Sequence, residues 1–170
     1  MILATDFKCF VKILFSVCLL FFQRASIFAQ NQKVADSLVK IYQKNKLENS
    51  EKLELLRNLS FNEVNNLELS LKYADELIAL SKLEKNYLYL HRGYYQKGNK
   101  NRLIGDLNKA LNDFFKSAEA ATKAKFISGK GVACMSIADV YSIMGNSNNA
   151  EVYYTKSINL LRKTKDSISL

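Results

Sequence analysis

Residues 134–161, CMSIADVYSIMGNSNNAEVYYTKSINLL, decide the fold. Cys134, Ile137, Ala138 and Tyr141 fall at i, i+3, i+4 and i+7, which is one stripe of an α-helix. Gly145-Asn146-Ser147 then interrupts the stripe with a residue that tolerates positive φ. A second stripe runs through Ala150, Tyr154, Ser157, Ile158 and Leu161, so the segment reads as helix, tight glycine turn, helix.

Working back toward the N-terminus, the same pattern returns at a 40-residue step. Ser70, Ala110 and Ala150 are in register, as are Ala74, Phe114 and Tyr154, and Leu77, Ser117 and Ser157. A fixed period of this size marks stacked units, none of which can bury its apolar face alone. Small residues at 110 and 150 suit a point where two helices cross, and the aromatics four positions on are expected to fill the space beneath the next unit. In the second copy Tyr94 and Gly98 lie on the first helix and Gly105-Asp106 makes the turn. Ala110, Phe114, Ser117, Ala118 and Ala121 line its second helix. The first copy has Asn65-Asn66 in place of the turn glycine. Ahead of it Val34, Leu38, Ile41 and Tyr42 keep helical spacing, followed by a polar break from Asn45 to Ser50. That helix is expected to cap the open end of the stack.

These positions resemble the tetratricopeptide repeat family. The third copy matches at Ala138, Tyr141, Gly145, Ala150, Tyr154 and Ser157, and the second at Gly98, Gly105, Ala110, Phe114 and Ser117. The resemblance implies an all-α, right-handed α-α superhelix, a solenoid of about three helix pairs with an N-terminal cap helix. The implied boundaries are 30–50 for the cap helix and 51–90, 91–130 and 131–170 for the repeats. Three departures stand out. Asn101 occupies the place of the family's tyrosine, Thr122 and Arg162 that of its closing proline, and the step is longer than the usual period of about 34 residues. Longer helices, or a longer loop over Phe126 to Gly131, are expected to absorb the difference.

The resemblance also implies a concave groove lined by first helices. The corresponding positions are Lys52, Leu55, Asn62 and Glu63, then Arg92, Tyr95, Asn99 and Arg102, then Met135, Asp139 and Ser142. Arg92, Tyr95, Asn99 and Arg102, with Met135 and Asp139, make the candidate peptide-binding set, because guanidinium and amide groups hold carbonyls and carboxylates. Lys97, Lys100 and Arg102 make a small basic cluster, read as a solvated face. More loosely, residues 98–107, GNKNRLIGDL, together with the leader resemble the amino-terminal repeat regions of Bacteroidota signalling proteins. There such arrays precede a membrane span and a histidine kinase or adenylate cyclase. The alternative to a free-standing exported adaptor is thus the sensory front of such a protein, shortened or split.

Composition bounds the rest. With no proline or tryptophan and six glycines in 170 residues, few sharp turns are available, and an apolar fraction of 48% excludes wholesale disorder. Residues 1–29 carry Lys8 and Lys12, then an apolar run from Ile13 to Phe22 broken by Ser16, then a short tail ending at Ala29. That is the layout of a secretory signal peptide, cleaved before Gln30, and the run is too short for the ~20 residues a membrane span needs. Without the leader's three basic residues and one acid, 22 basic and 15 acidic residues remain, a net +7. Only Cys134 then remains, so no internal disulfide can form.

No block of like charge is present, which argues against a nucleic-acid partner. Contact of the net +7 with an anionic surface is the weakest reading carried forward. His91, the single histidine, has no partner at ligand spacing; Cys134 falls on a core stripe; Gly129-Lys130-Gly131 is too short to cradle a phosphate. The expectation is a chain with no catalytic residue, metal or cofactor, and with a protein or peptide partner. Membrane contact would come only through an uncleaved leader or further downstream sequence. Because Leu170 follows closely on the third unit, an uncapped apolar C-terminal face is expected, a route to homo-oligomers.

Overall fold

A computed structural model describes residues 31–44, 47 and 49–166; the expected signal peptide lies outside them. The described residues are all-α. Helix α1 covers 31–44, followed by α2 (Asn49–Asn62), α3 (Leu67–Leu83), α4 (Tyr87–Ile104), α5 (Leu107–Lys123), α6 (Ile127–Ile143) and α7 (Ser147–Asp166). Connections of two to four residues fold each helix from α3 onward back against the one before it.

The helix starts explain the step. Asn66, Asn86 and Asp106 each accept a hydrogen bond from the backbone N–H three residues on, at 2.9, 3.3 and 3.2 Å, and so does Asn146 at 3.2 Å. The residue just before the last three of these caps, at 85, 105 and 145, has positive φ, and so does Lys125 before Phe126. Each of these four turns closes the same way. At the α4–α5 turn the Asp106 N–H reaches Asn101 O at 2.9 Å, and at the α3–α4 turn the Asn86 N–H reaches Ser81 O at 2.9 Å. The structural step is therefore 20 residues, one helix with its turn. Glycine marks only alternate turns: Gly105 (φ 89°) and Gly145 (φ 75°), against Lys85 (φ 52°) and Lys125 (φ 55°).

Of the two places expected to absorb the extra length, the helices take it and the loop does not. Phe126 to Gly131 is not a loop; α6 begins at Ile127, and Gly129 and Gly131 are helical points of close approach. The extra length lies in the helices, 17 or 18 residues in α3 to α6, or about 25 Å at 1.5 Å per residue. The boundaries drawn at 91 and 131 accordingly fall inside α4 and α6.

Packing follows chain order, with additional contacts of α2 with α4 and α4 with α6. Helices α3, α5 and α7 make none with one another among the described residues. Two apolar clusters form. One gathers Leu53, Leu56, Leu59, Tyr73 and Leu77, with Leu38, Val39 and Tyr42 of α1 against it. The other gathers Ala110, Phe114, Ile137 and Val140, flanked by Tyr95, Phe115, Tyr141 and Tyr153. On α1 the buried stripe is Ala35, Leu38, Val39 and Tyr42, whereas Val34 and Ile41 face outward. The Tyr42 hydroxyl donates to Glu76 at 2.7 Å, and that bond and burial push its pKa up to about 12.

The register positions do more than fill space. Ser117 and Ser157 donate from Oγ to the carbonyls of His91 and Gly131, at 3.1 and 2.8 Å, pinning second helix to first in both copies. Ser70 does the same to Ser60 O at 2.7 Å. Phe114 is fully buried over Gly98, where a Cβ would lie 2.8 Å from the ring. Tyr154 does not repeat this role: it is 36% exposed and turns its hydroxyl to Asp139 at 2.6 Å. The expected apolar C-terminal face is mixed. Glu151 and Thr155, both exposed, stand where α5 has the half-buried Leu111 and Phe115, leaving Val152 and Ile158 as its exposed apolar residues.

Candidate functional site

Helix α4 carries four of the six candidate residues and is packed on by every other helix from α2 to α6. Its turns therefore meet neighbours on several sides, and the candidates divide accordingly. Tyr95 belongs to the core, its ring 5.7 Å from Phe114 and 6.1 Å from His91. Arg92 spans to α2, with Nη1 3.6 Å from Glu54 and the guanidinium 4.9 Å above the Tyr89 ring. Glu54 also accepts from Arg57 at 2.6 Å and from the Tyr89 hydroxyl at 2.8 Å. The Arg57 bond in particular holds its carboxyl below the usual carboxylate range.

Asn99 and Arg102 are half-buried, and the Nε of Arg102 is buried without a partner. On α6, Met135 is 40% exposed and Asp139 accepts the Tyr154 hydroxyl. Leu88, Arg92, Gln96, Asn99 and Leu103 share one helical face of α4, and Ser128, Val132, Met135 and Asp139 are at the corresponding spacing on α6. No hydrogen bond or ion pair joins any two of the six candidates among the described residues.

The first copy supplies structure where groove contacts were expected. Leu55 is core, and Asn62 donates to Asn58 O at 2.8 Å. Glu63 is buried, its carboxylate accepting from the backbone N–H of Asn65 and Asn66 at 3.1 and 2.9 Å and from Gln32 of α1 at 3.2 Å. Lys100 donates to the Glu63 carbonyl at 3.0 Å, and burial pushes its pKa down. The cluster read as a solvated basic face is therefore only partly solvated: Lys100 is buried, Arg102 is half-buried, and Lys97 pairs with Asp75 at 2.6 Å. Asn101, in the tyrosine's place, donates to buried Asp113 at 2.8 Å. Burial raises the Asp113 pKa, the amide bond working the other way.

No protein-family model and no curated protein matches the chain. Its chemistry must be read from the side chains. The pair that looks most like a catalytic one is Ser117 with His91, Oγ to Nδ1 at 2.8 Å. The Ser117 carbonyl, which can only accept, lies 3.2 Å from the same Nδ1, so that nitrogen carries the proton and the hydroxyl donates to the His91 carbonyl instead. Both residues are buried, the Phe126 ring edge closes one side at 5.5 Å, and burial lowers the imidazole pKa. Little of the pair reaches the surface: His91 is 5% exposed and Ser117 not at all. Cys134 is also buried, which pushes its thiol pKa up, the reverse of what a nucleophile needs. No group of three or more His, Cys, Asp or Glu is placed to hold a metal among the described residues. No described helix is long and apolar enough to cross a membrane.

The inward face of α4 was legible from helical spacing. The Glu54 and Glu63 networks were not, because the partners that tie them to other helices lie 31 to 38 residues away. A buried charge at 63, 100 or 113 has no local signature that distinguishes it from a solvated one.

Proposed function

We propose that the chain is a non-catalytic scaffold of tetratricopeptide type, whose first helices α2, α4 and α6 line the inner side of a curved array and bind an extended peptide or protein segment. One observation carries the reading: successive first helices touch, whereas the second helices α3, α5 and α7 do not. A row of helix pairs closer together on one side than on the other curves toward the closer side. Along that side Asn99 has no hydrogen bond to any other described side chain and Met135 is exposed, so both are open to a ligand. An amide offers donor and acceptor to a peptide backbone, and a thioether adapts to varied apolar side chains.

The test is selection of peptides from a random display library on the full chain. The recovered peptides are then measured against Asn99→Ala/Met135→Glu. Affinity should fall at least about tenfold at unchanged melting temperature, by loss of an amide contact and of apolar burial. Equal binding to wild type and variant removes the reading. Export rests on the composition of residues 1–29, and mass spectrometry of the secreted form should find Gln30 as the first residue.

A further inference from the structure

The outer side of the array has clefts of its own. Because α3 and α5 do not touch, the furrow between them opens onto α4 as a cleft of about 260 Å³. Leu90, Tyr94 and Ala120 give it an apolar floor, and Lys82, Lys116 and Lys123 stand around it. The Lys82 and Lys116 ammonium groups lie 5.8 and 5.7 Å from the centre of the Tyr94 ring, bracketing it. A second cleft, of about 200 Å³, lies between the α5–α6 turn and α7. It has Phe126, Ile127 and Leu160 as apolar surface, with Lys125, Lys130 and Lys163 around them. The two are related by the 40-residue step, which carries Ala120 to Leu160 and Lys123 to Lys163.

Six lysines and one carboxylate line the two clefts, and that carboxylate, Glu119, is held by Lys123 at 2.8 Å. No carboxylate lies within ion-pair distance of Lys82, Lys116, Lys125 or Lys130 among the described residues. Lysines near a helix C-terminus stabilise it, which accounts for Lys82 and Lys123. It does not account for Lys116 in the middle of α5, nor for Lys130 in the first turn of α6, where the helix dipole disfavours a cation. Lys125 is held at φ 55°, a conformation that favours glycine.

We propose that these two clefts form one docking surface for an acidic peptide bound in extended form, its carboxylates meeting the lysines and its apolar side chains entering the recesses. Charge complementarity fixes the sign of the partner, and the apolar floors fix its class. A bilayer surface does not reach residues recessed below a ring of lysines, and a nucleic acid would need an uncovered aromatic face where Tyr94 is flanked by two ammonium groups. This surface is on the side opposite the one proposed for peptide binding above, and it stands or falls separately.

The experiment is fluorescence anisotropy of a fluorescein-labelled peptide of alternating glutamate and leucine, titrated with the full chain. Lys82→Glu/Lys116→Glu should weaken binding by about tenfold or more, and the neutral pair Lys82→Gln/Lys116→Gln by less. Lys33→Glu/Lys40→Glu, the same charge change on exposed positions of α1, should weaken it less than about twofold. Asn99→Ala/Met135→Glu should leave it unchanged. Equal weakening by the Lys82/Lys116 and Lys33/Lys40 reversals, no saturable binding, or tighter binding of phosphatidylglycerol vesicles or single-stranded DNA than of the peptide would overturn the proposal.

Discussion

Replacing Gly98 by alanine tests the central helix crossing. A Cβ built there lies 2.8 Å from both Cδ1 and Cε1 of Phe114 and 3.1 Å from its Cζ. Carbon atoms rest at about 3.5–4.0 Å, so the ring must retreat by roughly 0.7 Å or the two helices must part. Phe114 has no exposed surface, and its ring lies against Tyr95 at 5.7 Å, so it has little room to retreat. Overpacking of this kind costs about 1–3 kcal/mol, and the better helix propensity of alanine returns about 1. The net expectation is a loss of about 1 kcal/mol, rising to ~2 if the backbone moves. In a Phe114→Leu background the clash disappears and the same substitution should stabilise, by up to about 1 kcal/mol. Urea unfolding followed by circular dichroism on the four proteins gives both numbers. A gain in wild type as large as in the Phe114→Leu background would refute the reasoning, because it would show that glycine is not required by the ring.

Three further outcomes follow from the polar contacts and the turns. Ser157→Ala removes one hydroxyl-to-carbonyl bond and should cost about 1 kcal/mol, whereas Ser117→Ala also takes the hydroxyl oxygen from His91 Nδ1, leaving it the Ser117 carbonyl at 3.2 Å, and should cost about 1.5; thermal melting that ranks them equally would deny the histidine a role. Burial holds the His91 pKa below the ordinary imidazole value of about 6.5, so the unfolded chain takes up the proton first. The stability His91 permits is complete above 6.5 and is lost as pH falls from there through the folded pKa. The urea midpoint should therefore drop between about pH 7.5 and about pH 5.5, and drop less in His91→Gln. Lys85→Gly and Lys125→Gly relieve positive φ where their counterparts at 105 and 145 are already glycine, and each should raise stability by about 0.5–1 kcal/mol, read as a higher melting temperature.

The all-helical fold and two of its turns were legible because those turns carry Gly105 and Gly145 and because Ala110 and Ala150 recur at fixed distance. The other turns were hidden by the lysines at 85 and 125, which adopt a glycine-like conformation without a glycine. Aromatic register misled at one place. Phe114 is buried because residue 98 is glycine, while residue 138 is alanine and Tyr154 turns outward, so the size at one position depends on its partner across the crossing. A similar exchange joins Gly131 to Leu161, where a Cβ on the glycine would meet the leucine at 2.8 Å; the matching positions in the preceding copy are His91 and Ala121. Pattern matching within one helix cannot see such trades. The candidate site was legible only as a face: spacing placed Arg92 and Asn99 together, but the Glu54 carboxylate that engages Arg92 is 38 positions earlier.

The two apolar clusters share no residue, and α4 meets the helices around it partly through polar contacts: Lys97 on Asp75, Lys100 on the Glu63 carbonyl, Asn101 on Asp113. Apolar surfaces pulled apart lose their burial outright, but such polar groups can exchange one another for water at small net cost. At those three contacts water can replace what joins α4 to its neighbours, whereas at Gly93 and Gly98 the join is a close apolar approach, to Ile78 and to Phe114, that water cannot replace.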